Sequence, residues 1–307
     1  MKTSILLATY NGENYLPQQL ASLSAQEGAD FTVLYQDDGS SDGTPARLEA
    51  WSKSDSRFFP AAEQGKHLGA AGNFFSLLKQ TDADFVLLCD QDDIWLPHKV
   101  TTLLRAAQQV TDPSRPLLVH SDAIVMDAQG KELAPSFFHL QGWNPAATHL
   151  NQLLVQNNAT GCMMLLNRPL VDLVISYGDP AKMFMHDWFI ALTAAAFGEI
   201  IFVDEPLTMY RQHGDNAIGA SKASLLQRGL QALSQRQKSK VRIALTYSHT
   251  KAFQDAYGDA LPETTRQVVE SYLSTQSMSK IPRLLSIHRQ GCLMQSPVTR
   301  LGQYFFG

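Results

Sequence analysis

Phe85-Val86-Leu87-Leu88-Cys89-Asp90-Gln91-Asp92-Asp93-Ile94-Trp95-Leu96-Pro97 decides how this chain is read. Five apolar residues in a row suit a strand buried on both faces, as in the middle of a parallel sheet. Three carboxylates within four residues follow at once, and Trp95-Leu96-Pro97 opens the next helical pattern. Side chains alternate along extended backbone, so Asp90 and Asp92 point the same way from the strand's carboxyl end. Two hard oxygen ligands side by side, with coordination positions left open, suit Mg²⁺ or Mn²⁺ already carrying a diphosphate. A solvated acidic turn is the plainer reading. It leaves three uncompensated carboxylates repelling one another.

The flanking stretches repeat the pattern. Residues 3–9 read as a buried strand that ends in the polar turn Tyr10-Asn11-Gly12-Glu13-Asn14. Apolar residues at 16, 20 and 23 give helical spacing over 15–26, with Pro17 tolerated in the first turn. A second strand at 31–35 also ends in acid, Asp37-Asp38-Gly39-Ser40-Ser41-Asp42-Gly43-Thr44. Residues 46–51 are expected to be helical, 57–62 a third strand, and 68–73 a turn leading into a helix through 78. An amphipathic helix is expected over 97–110 and a strand over 117–126, followed by a hairpin-type turn at 127–130. Strand and helix therefore alternate four times in the first 110 residues. This predicts an α/β fold with a mostly parallel, Rossmann-like central sheet and helices on both faces. Ligands in such sheets sit at the carboxyl ends of strands. Three such ends carry polar clusters here, at 9–13, 37–41 and 90–93.

The second half is less regular. Helices are expected at 150–155, 169–177 and 185–197, an apolar run at 162–166 and a strand at 199–203. From 221 to about 257 the pattern is helical and basic. Residues 1–220 carry 13 Lys+Arg against 25 Asp+Glu, whereas residues 221–307 carry 12 against 4. A basic segment of that kind suits an anionic membrane surface or a nucleic acid, and equally a solvated helix surface. Leu225, Leu226, Leu230 and Leu233 with Arg228, Arg236, Lys238, Lys240 and Arg242 fit an interfacial helix. A dimerising or core-covering helix fits the same pattern equally well. Cys89, Cys162 and Cys292 make neither a disulfide framework nor a zinc pattern, which points to a reducing compartment. The apolar run after Lys2 is too short for a signal peptide, and no stretch approaches the ~20 apolar residues of a span. The expectation is a soluble, cytoplasmic protein, at most resting on a membrane.

The motifs exclude several chemistries. A Gly-x-Gly-x-x-Gly after the first strand, a Walker A sequence and a Gly-x-Ser-x-Gly elbow are all missing from the sequence. What fits is a metal-bridged nucleoside diphosphate, with Asp38 accepting the imide N–H of a uracil or thymine ring and Tyr10 stacking on that ring. A nucleotidyltransferase would share the sheet and the acid pair. It would usually carry a Gly-rich basic loop after the first strand, where this chain has Thr9-Tyr10-Asn11-Gly12-Glu13. A non-catalytic surface-binding module built on the basic segment leaves the acidic strand ends without purpose.

Ala8-Thr9-Tyr10-Asn11-Gly12-Glu13, Asp37-Asp38-Gly39-Ser40-Ser41-Asp42-Gly43-Thr44 and Asp90-Gln91-Asp92-Asp93-Ile94-Trp95 together resemble the signatures of family-2 glycosyltransferases. These are inverting enzymes of the GT-A fold that use nucleotide sugars. The resemblance spans roughly residues 3–216 and is nearest to the rhamnosyltransferase-like branch of bacterial surface-polysaccharide and O-antigen synthesis. It implies a catalytic domain over 1–220, with a nucleotide half at about 1–115 and an acceptor half at about 116–220, and a basic helical segment over 221–307. It implies that Ala8, Thr9, Tyr10, Glu13, Asp38, Gly69, Asn73, Asp90 and Gln91 bind the donor, with Arg211 as a phosphate clamp. Asp92 would be the principal ligand of Mn²⁺ or Mg²⁺, with Asp90 beside it and His213 completing the shell from a loop. Asp187, at a helix start, would be the base on the acceptor hydroxyl, with its pKa lowered by the nearby cation. Gly161, His186 and Trp188 would meet the acceptor. His186 departs from the family, where Glu is common. The implied donor is dTDP-L-rhamnose, with UDP-glucose or UDP-galactose as rivals. The implied acceptor is a saccharide or a polyprenyl-diphosphate-linked saccharide at the inner face of the plasma membrane. No nucleic-acid partner is expected, and a homodimer is compatible with the tail.

Overall fold

The computed structural model describes residues 1–183, 185–213 and 228–306, the last with backbone alone for 228–236 and 306. They form two compact units: residues 1–137 with 159–211, and residues 138–158 with 212–307. Residues 138–158, which fall in the acceptor half of the sequence division, thus group with the C-terminal segment.

The first unit is built on one sheet. Its strands are β1 (Thr3–Thr9), β2 (Thr32–Asp37), β3 (Phe58–Pro60), β4 (Phe85–Cys89), β5 (Ile94–Trp95), β6 (Leu117–Met126), β7 (Glu132–Ala134), β8 (Met164–Asn167) and β9 (Glu199–Arg211). The order is β3-β2-β1-β4-β8-β6-β9-β5, with β7 added to β6. Strands β3, β2, β1 and β4 are parallel, as the alternating strand–helix pattern predicts. Beyond β4 the sheet is mixed, because β8 runs antiparallel to both β4 and β6. Helices α1 (Leu16–Ser24), α2 (Thr44–Ser54), α3 (Gly69–Lys79) and α4 (Lys99–Ala107) belong to this unit. On one face of β1 and β4, Ile5, Leu7, Leu87 and Cys89 enter a core with Leu16, Leu20, Val100 and Leu103, and on the other Leu6, Val86 and Leu88 are buried as well. Each fully buried aliphatic chain of this kind contributes about 1.5–3 kcal/mol.

Register explains why the polar strand ends converge. Leu7 lies beside Cys89, and Thr9 beside Asp37, so β1, β2 and β4 finish at one edge. Antiparallel β8 starts where β4 ends, and this brings the 3₁₀ turn Gly161–Met163 to that edge. Strand β5 pairs Ile94 with Met209 and Trp95 with Thr208, carrying the end of β9 to the acidic turn.

Several expected boundaries move. Ile94-Trp95 forms a short strand, and the following helix begins at Lys99. Strand β9 continues from the expected 199–203 through Arg211, because its pairing with β6 resumes after irregularities near Asp122. The run at 162–166 opens with the 3₁₀ turn before becoming strand. The hairpin turn at 127–130 forms as expected, closed by the Asp127 N–H to Lys131 C=O bond.

The chain's later helices are α5 (Phe137–Gln141), α6 (Leu150–Leu153), α7 (Arg168–Tyr177), α8 (His186–Phe197), α9 (Arg228–Tyr257), α10 (Glu263–Ser274), α11 (Lys280–Gln290) and α12 (Pro297–Phe306). Of these, α7 and α8 complete the first unit, and α6 with α9 to α12 make the second. Tyr247 of α9 stacks on Tyr272 of α10 with ring centroids 4.9 Å apart, and Thr246 Oγ1 and Tyr272 Oη share a 2.6 Å hydrogen bond. Among the described residues no helix is long and apolar enough to cross a membrane.

Candidate active site

The loop after β1 is held by side chains from two other loops. Gln91 accepts from the Tyr10 N–H and donates to the Tyr10 C=O, each at 2.8 Å. Asn11 has φ of 48°, and its Oδ1 accepts from Ser41 N–H while its own N–H donates to Ser40 Oγ. Glu13 accepts from the Gly43 N–H and from Arg47. Glu13 and Gln91 therefore brace the loop from within the protein. Thr9 donates to Asp37 Oδ1 at 3.0 Å, tying the ends of β1 and β2.

Asp38 is buried, and its two carboxylate oxygens accept from the N–H groups of Leu68 and Gly69 at 2.6 and 2.9 Å. Those amides open α3, whose dipole favours the negative charge. His67 Nδ1 lies 3.2 Å from the same carboxylate, and its ring lies 4.9 Å from that of Tyr10. Tyr10 and His67 thus frame an exposed aromatic surface above Asp38. His67 was missed by the sequence reading; its signal was nearness to Gly69 alone. Asn73 is buried and donates to the Gln36 carbonyl.

The acidic turn is the electrostatic centre. Ligand atoms of Asp90, Asp93 and Cys162 lie within 4.8 Å of one another. This differs from the expected set of Asp90, Asp92 and His213: Asp93 and Cys162 join Asp90, while Asp92 is half-buried beside them. Burial first, then the charges of Asp92, Asp93 and Asp187, holds the Asp90 pKa well above the usual carboxylate range. Burial and Asp92 push Asp93 up to about 7. The cluster carries more negative charge than the fold neutralises, which suits a divalent cation; the carboxylates are hard donors, and burial holds the Cys162 thiol protonated.

Two buried cations underlie this turn. Lys99, fully buried, donates to the Cys162 carbonyl at 2.5 Å and to Thr208 Oγ1 at 2.7 Å, with its ammonium 3.7 Å from the Trp95 ring centroid. Burial pulls its pKa down to about 8, against Asp93 and Asp90, which raise it. The Arg211 N–H donates to Asp93 Oδ1, its Nε to the Asp92 carbonyl, and its terminal nitrogens to Ala128 and Gln18. The guanidinium braces the acidic turn from beneath, which is not the exposed fork that a phosphate clamp needs. Neither buried cation was read as structural from sequence, since Lys and Arg are rarely buried without partners.

Asp187 lies in the first turn of α8 and is buried. Its Oδ1 accepts from Trp188 N–H at 2.6 Å and its Oδ2 from Gly161 N–H at 3.3 Å. Burial raises its pKa to about 7 despite these bonds. The expected lowering presupposed a bound cation; in the protein alone desolvation wins. A Cβ on Gly161 would lie 3.1 Å from His186 Nε2 and 3.7 Å from Asp187 Cβ, so a small residue is needed there. His186 stacks on Phe74, and burial lowers its pKa to about 4, leaving it neutral. The Trp188 side chain is buried rather than presented to a sugar. His213 follows β9 by two residues and groups with the second unit, and Gly214 to Asn216 lie outside the described residues.

The family described as glycosyl transferase family 2 matches residues 4–171. The dTDP-rhamnosyl transferase RfbG of Shigella flexneri is 26% identical over 231 residues, covering 70% of this chain and 74% of the relative. For other curated relatives at the same identity the aligned part is 58% of their length. S. aureus TarS in complex with UDP superposes with a TM-score of 0.55 at 15% identity, over 99% of this chain and 86% of that one. Mannosyltransferase PcManGT of Pyrobaculum calidifontis, in complex with GDP-Man and Mn²⁺, gives 0.57 at 14% identity over 98% and 78%. Both likenesses are of fold, the GT-A glycosyltransferase fold.

Proposed function

Because the chain belongs to glycosyl transferase family 2 and is a glycosyltransferase, we propose that it moves a sugar, with inversion, from a nucleoside diphosphate to a saccharide or lipid-linked saccharide in surface-polysaccharide synthesis. The observation that carries this reading is the acid cluster at the end of β4, whose carboxylates raise one another's pKa and feel Asp187. Asp90, Asp92 and Asp93 would hold Mn²⁺ or Mg²⁺. When bound, that ion neutralises charge on the departing diphosphate.

The chain's own residues account for the rest. The acceptor oxygen forms a bond to the anomeric carbon as the bond to the diphosphate breaks, and the diphosphate takes the electron pair. The hydroxyl proton passes to Asp187. Burial raises the pKa of this carboxylate and a bound cation would lower it again, so near neutral pH the group is ionised and able to accept the proton. The Gly161 and Trp188 amides orient it. Neutral His186 beside Gly161 keeps a second positive charge out of the acceptor side. Tyr10 and His67 would receive the base above Asp38.

The RfbG relative favours dTDP-L-rhamnose as donor, and the UDP complex of TarS favours a UDP-sugar as the second reading. The test is a screen of nucleotide sugars with the full-length protein, reading Mn²⁺-dependent hydrolysis and thermal stabilisation. Strongest response to dTDP-rhamnose is expected. A UDP-sugar responding in its place overturns the donor assignment, and no response to any sugar nucleotide overturns the reaction.

A further inference from the structure

Helices α11 and α12 expose large apolar side chains that a water-facing surface normally lacks. Ile281 and Leu285 on α11 are 72% and 68% exposed; Val298, Leu301 and Phe305 on α12 are 65%, 54% and 63% exposed. The first two are spaced i, i+4, and the other three i, i+3, i+7, so each set forms one stripe. The stripes adjoin at one end, where Lys280 Nζ donates to the Phe305 carbonyl at 3.2 Å. The opposite side of α12 is committed to the unit's interior: Gly302 and Gln303 are buried, and a Cβ on Gly302 would lie 2.8 Å from Ser239 Oγ of α9.

Charge identifies what covers these stripes. Residues 271–307 contain no Asp or Glu and four Lys or Arg. Lys280 and Arg289 are exposed on α11, and Lys238, Lys240 and Arg242 are exposed on α9 on either side of the residue that meets Gly302. Exposed apolar chains with exposed cations on the same helices, Lys280 Nζ lying 5.9 Å from the Phe305 ring centroid, in a stretch free of acid, complement a surface that is apolar within and anionic at its boundary. A second copy meeting this face through the same patch would oppose cation to cation. We propose that the α11–α12 face is a peripheral docking surface for an anionic lipid bilayer, with Leu285, Leu301 and Phe305 entering the acyl boundary and the surrounding lysines and arginines meeting lipid phosphates. This places the contact C-terminal to the leucines at 225–233, which lie outside the described side chains.

The test is sedimentation of the full chain with vesicles of phosphatidylcholine alone and of phosphatidylcholine mixed equally with phosphatidylglycerol. Binding to the mixed vesicles is expected to exceed binding to the neutral ones and to weaken with salt. The triple variant Leu285→Ser, Leu301→Ser, Phe305→Ser should bind at least about tenfold more weakly. It should retain the helical signal of the parent by circular dichroism. Should this variant misfold, Lys238→Gln, Lys240→Gln, Arg242→Gln, which alters solvent-exposed chains only, must lower anionic-vesicle binding by itself. Equal binding by parent and variants overturns the proposal. So does a parent dimer, seen by light scattering, that the triple variant converts to monomer without any vesicle binding by the parent. Vesicle binding needs no donor, so its outcome is separate from that of the sugar-nucleotide screen.

Discussion

Gln91 and Tyr10 exchange two hydrogen bonds, the carboxamide of one matching the backbone N–H and C=O of the other at 2.8 Å each. A side chain thereby does what a neighbouring strand would do, and it fixes the base-side loop against the acidic turn. Gly12 makes room for it: a Cβ there would lie 2.1 Å from Gln91 Oε1. Gly12→Ala should displace the carboxamide and cost both bonds, about 1–3 kcal/mol in urea unfolding. The donor KM should rise more than kcat falls. Gln91→Leu should give the same two effects, and an unchanged KM in both variants would remove the loop from donor binding.

Lys99 links the acceptor side to the strand edge. By gripping the Cys162 carbonyl it holds the turn whose Gly161 amide orients Asp187. Lys99→Met fills similar volume and leaves no unpaired charge of its own, so the fold should survive. A shift of the turn by even a fraction of an ångström misplaces the carboxylate, and kcat should drop at least about tenfold with donor affinity largely kept. Isothermal titration with donor, beside turnover, separates the two quantities.

How much of this was legible beforehand follows from what is local. The acid at the ends of β2 and β4 and the apolar runs before it are continuous in sequence, so the parallel half of the sheet could be read directly. Asp187 stands in the first turn of a helix, where the dipole favours an acid and the position can be read locally. Ile94-Trp95 is too short to show a strand period, and its partners Met209 and Thr208 are more than a hundred residues away. Strand β9 hides its length behind Asp204-Glu205-Pro206, which reads as a break. Lys99 and Arg211 look like solvent-facing residues until the fold surrounds them with carbonyls. The grouping of residues 138–158 with the C-terminal helices is a property of tertiary packing, and no composition shift marks it.

The Asp187 pKa of about 7 gives a pH signature. Turnover should rise with pH as the base loses its proton, with a midpoint that the bound cation draws below the value in the metal-free protein. Stability should move the other way. The folded state holds the Asp187 proton up to about 7, whereas the unfolded chain releases it near 3.8. Between those values the folded form binds more protons, so Asp187's contribution to stability falls as pH rises and levels off above 7. Urea unfolding in EDTA across that range should show a shallower slope for Asp187→Asn. The same variant should still bind donor but lose transfer; normal transfer would remove Asp187 from the base role.

Asp92 and Asp93 should separate on substitution, although they are neighbours. Asp92 is half-buried, while Asp93 is 1% exposed and accepts the Arg211 amide at 3.0 Å. Asp92→Ala removes a charge that raises both Asp90 and Asp93, so stability should be kept while Mn²⁺ affinity and metal-dependent donor binding are lost. Asp93→Ala strands a buried N–H and should cost about 1–3 kcal/mol as well as metal affinity. In the parent, Asp93 must release its proton before it can act as a ligand, so Mn²⁺ binding should strengthen as pH rises through about 7. Mn²⁺ titration followed by electron paramagnetic resonance at several pH values measures this directly. A pH-independent affinity in the parent would mean that neither Asp93 nor Asp90 must lose a proton to admit the ion, and that Asp92 holds it without them.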